Sequence, residues 1–162
     1  VIAAAVILKK NIDGLKDSKK LSAKKRFELS EKILKNSYYA FGQATNIEID
    51  KINILNASLL AMKRAILKLP VKPTLVLVDG IYKPDLNVQM EAIVSGDSLK
   101  KEISAASIIA KVYRDNLMLN YDKEFPAYSF KDNKGYGTKK HLDSIKIYGS
   151  TEIHRKSFKG VS

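Results

Sequence analysis

Apolar runs and periodic apolar stripes alternate along this chain, so its pattern predicts alternating strands and helices. Short runs that are apolar and rich in β-branched or aromatic residues are typical of strands. Such runs lie at residues 2–8, 38–45, 75–80 and about 90–94. The first run, "VIAAAVIL", has no basic region before it and lysines after it, so it is interpreted as a strand and not as a secretion signal.

Apolar residues spaced by three and four positions predict helices between these strands. Ser22 suits the N-cap of a helix that runs to about Asn36, and Pro70 ends the next helix. A last helix is predicted over Lys139–Tyr148, where Gly149 stops it. The stripes of the two longest helices are Leu55, Leu59, Met62, Ile66 and Leu69, and Ile103, Ala106, Ala110, Tyr113 and Leu117. The alternation favours a single α/β domain over residues 1–162.

The charge of the chain narrows the class of its partners. Lys and Arg number 29 against 17 Asp and Glu, and the formal net charge of +12 favours a polyanion such as nucleic acid or an anionic membrane surface. No apolar stretch reaches the length that crosses a bilayer. The absence of cysteine excludes disulfides, thiolate zinc sites and a cysteine nucleophile, and it is consistent with a cytoplasmic protein.

Two aspartates follow apolar runs in this basic chain. Asp79 closes "LVLVDG" and Asp97 closes "AIVSGD", 18 residues later. If both strands end at one edge of a sheet, the two carboxylates need a cation between them, because bare carboxylates repel and are costly to desolvate. Carboxylates are good ligands for Mg²⁺ or Mn²⁺. The structural alternative for each residue is ordinary turn chemistry, since Asp-Gly and Gly-Asp-Ser are common in turns.

Four further residues are candidates for contact with a nucleic acid. Lys19 lies in a basic loop and suits contact with a phosphate, although a solvated lysine is the simpler interpretation. Ser107 and Lys111 are four residues apart and share a helix face. Tyr136 stands between two glycines, where its ring is free to stack on a base or sugar or to pack in a turn. His141 and His154 lack the spacing of a zinc pair and receive no catalytic role.

Several motifs occur together in one order. They are "DSKKLS", "LVLVDG", "SGDS", "EISAASIIAKVYRD" and "KGYGTKKHL". In this order and spacing the chain resembles bacterial ribonuclease HII, the type 2 ribonucleases H. The resemblance implies an RNase H-like fold, an α/β architecture in which helices flank a central mixed β-sheet. It also implies hydrolysis of the RNA strand of RNA–DNA hybrids, and incision 5′ to ribonucleotides embedded in duplex DNA, which leaves 3′-hydroxyl and 5′-phosphate ends.

The same resemblance assigns roles to single residues. It implies four carboxylates that hold Mg²⁺ or Mn²⁺ in a two-metal mechanism, with Asp79 as the third and Asp97 as the fourth. It implies that Lys19 lies close to a substrate phosphate and that Tyr136 stacks on the deoxyribose at the RNA–DNA junction. Ser107 and Lys111 are the further candidates for substrate binding.

The family motif Asp-Glu-x-Gly-Arg-Gly is not present upstream of "VIAAAVIL". We therefore expect residues 1–162 to form one RNase H-like catalytic domain that lacks its N-terminal strand and first catalytic motif. The alternative to an active nuclease is an inactive nucleic-acid-binding fragment of such an enzyme. A Mg²⁺-dependent phosphatase or kinase is disfavoured because the chain has no P-loop. We expect a cytoplasmic monomer with no membrane partner, and a replication-clamp partner is not readable from the sequence.

Overall fold

A computed structural model describes residues 1–15 and 18–161 of the chain. The order of the elements confirms the α/β class. The strands are β1 (Ile2–Leu8), β2 (Ser37–Gln43), β3 (Leu75–Asp79) and β4 (Gln89–Ile93). The helices are α1 (Ala23–Lys35), α2 (Asn46–Leu67), α3 (Gly96–Leu99), α4 (Lys101–Glu124), α5 (Phe130–Asn133) and α6 (Lys139–Tyr148). Short 3₁₀ turns cover Ser18–Lys20 and Pro126–Tyr128.

Side-chain caps fix where α1 and α2 begin. The Ser22 hydroxyl accepts a hydrogen bond from the Lys25 backbone N–H at 3.2 Å, which starts α1 as the sequence predicts. At α2, Thr45 and Glu48 form a reciprocal capping box. That helix is interrupted at Asn53, whose φ is +66°. Among residues 1–15 and 18–161, no helix combines the length and the apolar character needed to cross a membrane.

The four strands form two pairs. β1 runs antiparallel to β2, with Ile2 opposite Gln43. β3 runs parallel to β4, with Asp79 opposite Ile93. Both pairing senses of a mixed sheet are therefore present, but within the described residues the two pairs are not hydrogen-bonded to each other.

Helices cover both faces of the β1–β2 pair, because alternate residues of β1 point to opposite sides. On one side, Ala4, Val6 and Leu8 pack against the buried core of α1 and α4. On the other side, Val1 and Ala3 pack against Ala57 and Ala61 of α2. The members of the first core cluster are Ile12, Leu29, Ile33, Ala105, Ile108 and Ile109.

An apolar groove of about 700 Å³ separates β1 from β3. All of β1 and all of β3 line it, and α2, α4 and the loop between α2 and β3 supply its remaining walls. Each of these two strands is hydrogen-bonded to a described strand along one edge only, and the groove lies between them. Because each strand has an unpaired edge that faces this apolar groove, a further strand would fit between them. The helical side chains that line it include Met62, Ile66, Ile103, Ala106 and Ala110.

A separate core cluster holds the C-terminal third of the domain together. Met118 of α4, Phe130 of α5 and Ile145 of α6 are buried with Tyr128 in this cluster. The loop between α5 and α6 carries Tyr136, and both of these helices contribute residues to this cluster. α4 packs against both this part of the domain and the β1–β2 pair.

Candidate functional site

Asp79 is held at the end of β3 by a backbone amide. Its Oδ1 accepts a hydrogen bond from the Gly96 N–H at 2.8 Å. The Gly80 N–H also donates to the Ile93 carbonyl at 2.9 Å, so the parallel pairing continues one step beyond the strand. The carboxylate is exposed, yet its direction is fixed by the segment that follows β4.

Asp97 does not end a strand, and the sequence-based prediction of its local structure is wrong. β4 ends at Ile93, and Asp97 lies in the first turn of α3. The reason is Ser95, whose φ of +54° turns the chain out of the extended conformation before the aspartate is reached. The turn nevertheless brings Asp97 to the same corner as Asp79, because the residue before it donates the hydrogen bond to Asp79.

Gly96 makes this close approach possible. It is buried, and a Cβ built on it would lie 3.4 Å from Asp79 Oδ1 and 2.5 Å from Ile103 Cδ1. A side chain here would require the Ile103 side chain of α4 to move, so the glycine lets this turn pack closely between α4 and the end of β3. Asp97 is half-buried and engaged in an interaction of its own.

The donor set at this corner suits a hard cation. Both side chains offer carboxylate oxygens. Such oxygens suit Mg²⁺ or Mn²⁺, whereas softer metals prefer thiolate ligands. Within the described part of the chain, no three residues among His, Cys, Asp and Glu converge on one point that would hold a metal ion. The two aspartates therefore fit as part of a metal site whose remaining ligands come from other groups.

The apolar groove reaches this corner. Asp79 and Ser107 lie among its lining residues, together with Glu102 in the first turn of α4. Sequence reasoning did not single out Glu102, because an acidic residue in a first helical turn is readily explained by the helix dipole. The lining of the groove therefore includes three oxygen-bearing side chains from β3 and α4.

Ser107 and Lys111 share one face of α4, as their spacing predicts, and both are already engaged. The Ser107 hydroxyl lies 2.9 Å from the Ser18 hydroxyl. Lys111 Nζ lies 2.7 Å from Asp115 Oδ1. Arg26 approaches the other oxygen of Asp115 at 3.6 Å and also donates to the Ser18 carbonyl at 2.9 Å. The result is a network that fastens the Ser18–Lys20 turn to α4.

The role predicted for Lys19 cannot be compared with the structure, because its side chain lies outside the described residues. Its backbone belongs to the fastened Ser18–Lys20 turn. The turn is therefore held in place next to Ser107, and Lys111 follows one helical turn later on α4.

Tyr136 is 62% exposed on the loop between α5 and α6. Gly135 before it has a φ of +75°, a conformation that a side chain would strain. The loop is joined to α4 by Arg114, which donates to the Lys134 carbonyl at 2.9 Å. α4 therefore carries Ser107 and Lys111 and also supports the loop of Tyr136.

The two histidines lie next to each other. His141 Nε2 and His154 Nε2 are 3.1 Å apart, and both residues are buried. Burial lowers the pKa of His154, and the neighbouring His141 lowers it further. The 13-residue separation gave no sequence signal for this contact, which depends on the fold of the chain after α6.

Comparison with known proteins gives one consistent result. The family model described as "Ribonuclease HII" matches residues 1–161. The ribonuclease HII of Pelagibacter ubique is 57% identical over 165 residues, covering 100% of this chain and 89% of the relative.

Two solved structures show a similar fold. The first, titled as the PCNA:RNase HII complex from Archaeoglobus fulgidus, has a TM-score of 0.74 at 24% identity and covers 99% of this chain and 87% of that one. The second, titled as Bst-RNase HIII in complex with Mn²⁺, has a TM-score of 0.67 at 18% identity and covers 91% of this chain and 56% of that one. They confirm the RNase H-like fold.

Proposed function

The chain belongs to the ribonuclease HII family, and from that premise we propose a metal-dependent cleavage of ribonucleotide-containing duplexes. As a family member it is an endoribonuclease. The proposed reactions are hydrolysis of the RNA strand of RNA–DNA hybrids and incision of duplex DNA 5′ to an embedded ribonucleotide, with 3′-hydroxyl and 5′-phosphate products. The observation that carries the proposal is the hydrogen bond that fixes the Asp79 carboxylate beside Asp97.

The corner of Asp79 and Asp97 would hold the metal, Mg²⁺ or Mn²⁺. When bound, such ions activate a water and stabilise the oxygen that leaves the phosphorus. The protein contributes the placement of the ligands: Gly96 orients Asp79, and the Ser95 turn brings in Asp97. The chain's net charge of +12 would offset the charge of the phosphates around these carboxylates.

The groove between β1 and β3 supports a second part of the proposal. A strand that enters it could pair with β1 on one side and β3 on the other, and its apolar side chains would fill a cavity of about 700 Å³. Because Asp79 lines the groove, carboxylates at the end of that strand would lie near Asp79. We infer that a strand with the Asp-Glu-x-Gly-Arg-Gly motif completes the metal site.

The proposed substrate contacts are Lys19, Ser107, Lys111 and Tyr136. The engaged Ser18–Lys20 turn supports the role of Lys19, because its position relative to α4 is fixed by hydrogen bonds before substrate arrives. Asp115 holds the Lys111 ammonium in place. Lys111 would therefore lose little side-chain conformational entropy when it contacts a phosphate. The exposed ring of Tyr136 would stack on a sugar at the junction.

A cleavage assay separates this proposal from the alternative of an inactive nucleic-acid-binding fragment. A duplex with one ribonucleotide is incubated with the chain extended upstream by the Asp-Glu-x-Gly-Arg-Gly strand, in Mn²⁺ or in EDTA, beside an all-DNA duplex of the same sequence. Cutting that needs both the ribonucleotide and the metal supports the nuclease. Binding without cutting under every condition supports the alternative.

Binding to the duplex should weaken steeply with salt. The net charge of +12 predicts that lysines release counterions from phosphates. We expect affinity to fall by at least ~10-fold between about 50 and about 200 mM salt, measured by fluorescence anisotropy. Replacing Lys19 by Gln should reduce the slope of log affinity against log salt by about one. Lys63→Gln is the control, because Lys63 lies on α2 and not on the Ser18–Lys20 turn or the α4 face that is proposed to contact the duplex. A salt-independent affinity would contradict this proposal.

The effect of substituting Tyr136 on duplex binding should depend on whether an aromatic ring remains. Tyr136→Phe keeps the stacking face and is expected to bind a single-ribonucleotide duplex almost normally. Tyr136→Ala should lose ~1–3 kcal/mol of binding free energy, because stacking is lost. The measurement is a binding titration, with thermal unfolding to show that both variants fold. Tyr148, exposed to a similar extent at 64%, provides the control Tyr148→Ala. Unchanged binding by Tyr136→Ala would remove the stacking role.

A further inference from the structure

The loop that carries Tyr136 is held by three side chains at three consecutive carbonyls. Arg114 donates to the Lys134 carbonyl at 2.9 Å, and Arg155 donates to the Gly135 carbonyl at 2.8 Å. The imidazole of His141 lies 2.9 Å from the Tyr136 carbonyl through Nδ1. These donors come from α4, from α6 and from the segment after α6. The loop therefore has a fixed backbone although its tyrosine ring is exposed.

Holding this loop requires an unfavourable backbone conformation. Lys134 and Gly135 both have positive φ, +52° and +75°. A non-glycine residue in this region is destabilised, so neighbouring contacts must maintain it. Asn133 contributes as well, because its side chain accepts from the Gly135 N–H at 2.8 Å and donates to the Tyr128 carbonyl at 2.7 Å.

The hydrogen bonds at the two histidines run in one direction. The Thr151 backbone N–H can only donate, so His154 Nδ1, at 2.9 Å, accepts and carries no proton, and the Thr151 hydroxyl, 2.7 Å from the same nitrogen, then donates to it as well. Neutral His154 is then protonated on Nε2 and donates to His141 Nε2 at 3.1 Å. His141 in turn is protonated on Nδ1 and donates to the Tyr136 carbonyl, which can only accept. The same assignment follows from either end of the chain of bonds.

We propose that His154 is a positioning residue for Tyr136: acting through His141, it adds a side-chain donor to the Tyr136 carbonyl, which also accepts from the Thr138 N–H at 2.8 Å, and so restricts the direction of the exposed ring. This inference rests on the proposed contact of Tyr136 with the duplex. An additional proton on the pair would direct two N–H groups at each other, so the link requires both imidazoles to be neutral.

The surroundings of His154 favour its neutral form. Tyr128 and Phe130 pack against both imidazoles, and the Tyr128 hydroxyl donates away from them to the Gly149 carbonyl at 2.7 Å. Arg155 is the charged group next to His154, and it disfavours a second positive charge there. Burial is the largest cause of the lowered pKa of His154.

The tautomers can be observed directly in the unmodified protein. The chain has two histidines, so a long-range ¹H–¹⁵N correlation spectrum contains two imidazoles, which one substitution assigns. We expect His141 to be protonated on Nδ1 and His154 on Nε2 at neutral pH. The opposite pair of tautomers, or rapid averaging of both rings, would overturn the relay.

Two variants of His154 separate the link from local packing. In His154→Asn the short amide can still accept from Thr151 but does not reach His141. In His154→Gln the longer amide can donate to His141 in place of Nε2. We expect His154→Asn to weaken binding of a single-ribonucleotide duplex by about fivefold, the scale of coupling between neighbouring residues, and His154→Gln to restore most of the loss. Equal losses in both variants would contradict the proposal.

A double-mutant cycle with Tyr136→Ala completes the test. If His154 acts through Tyr136, His154→Asn should cause no further loss of binding once the ring is gone. Independent, additive losses would show that His154 only supports the fold. If Tyr136→Ala itself binds normally, the proposed contact with the duplex is wrong, while the tautomers still decide whether the relay exists.

Discussion

Asp79→Asn is expected to lower the rate of metal-dependent cleavage by at least ~100-fold, the scale for loss of a major electrostatic contribution. The substitution keeps the size of the side chain, and the amide oxygen can still accept the hydrogen bond from Gly96. What it removes is the negative charge that would hold the metal. Asp97→Asn should have a similar effect, because both carboxylates occupy the same corner. The measurement is single-turnover kinetics on a duplex with one ribonucleotide, with the chain that also carries the Asp-Glu-x-Gly-Arg-Gly strand.

The control for this experiment is Asp85→Asn. Asp85 lies in the loop between β3 and β4, is fully exposed, and pairs with Lys63 at 3.6 Å. It therefore tests whether any lost carboxylate in this region lowers the rate. Metal titration of each variant should show that higher Mn²⁺ recovers part of the Asp79→Asn activity if its defect is in metal binding. Near-normal cleavage by Asp79→Asn at low Mn²⁺ would contradict the assignment.

A further strand that fills the groove between β1 and β3 is expected to have a second large effect, on both stability and cleavage. A polypeptide of residues 1–162 should be poorly stable and inactive, although its lysines should still bind duplex DNA. Extension upstream with a strand that carries Asp-Glu-x-Gly-Arg-Gly should restore metal-dependent incision, because two carboxylates supply too few ligands for two Mg²⁺ ions. It should also raise the unfolding temperature by at least about 10 °C. Each large buried side chain contributes ~1.5–3 kcal/mol, and ~1 kcal/mol corresponds to ~2–4 °C in a domain of this size.

A matched extension separates stability from chemistry. In it, both acidic residues of the added motif are replaced by their amides, so the strand can still enter the groove. This polypeptide should be as stable as the active extension but should not cleave. If residues 1–162 cleave as well as the extended chain, no further strand is needed in the groove. The protein then does not use a site of four carboxylates.

The elements with strong periodic patterns could be predicted from the sequence. β1 and α6 occupy the predicted residues, Ile2–Leu8 and Lys139–Tyr148, because each combines a clear pattern with a polar or glycine boundary. The N-cap at Ser22 was also predicted correctly, since a capping side chain acts on the residues next to it. These features depend on interactions that are close in the sequence.

Features that depend on distant contacts could not be predicted in this way. The apolar run before Asp97 does not reveal the left-handed Ser95, which turns the chain into α3 before the aspartate. Nor does it reveal which strand edges remain unpaired around the groove. The contact between His141 and His154 depends on how the segment after α6 folds back. The Lys111–Asp115 pair is different, because its four-residue spacing was visible and could have been recognised as an ion pair.

The central claim is that carboxylates at this corner direct metal-dependent incision at a ribonucleotide. It is tested most directly by mapping the cut and the product ends on a duplex with a single ribonucleotide, with the chain that carries its completing strand. We predict one incision 5′ to the ribonucleotide, with 3′-hydroxyl and 5′-phosphate ends, which disappears in EDTA and in Asp79→Asn. A metal-independent cut on the 3′ side that leaves a 2′,3′-cyclic phosphate would contradict the account, because the ribose hydroxyl would then be the nucleophile.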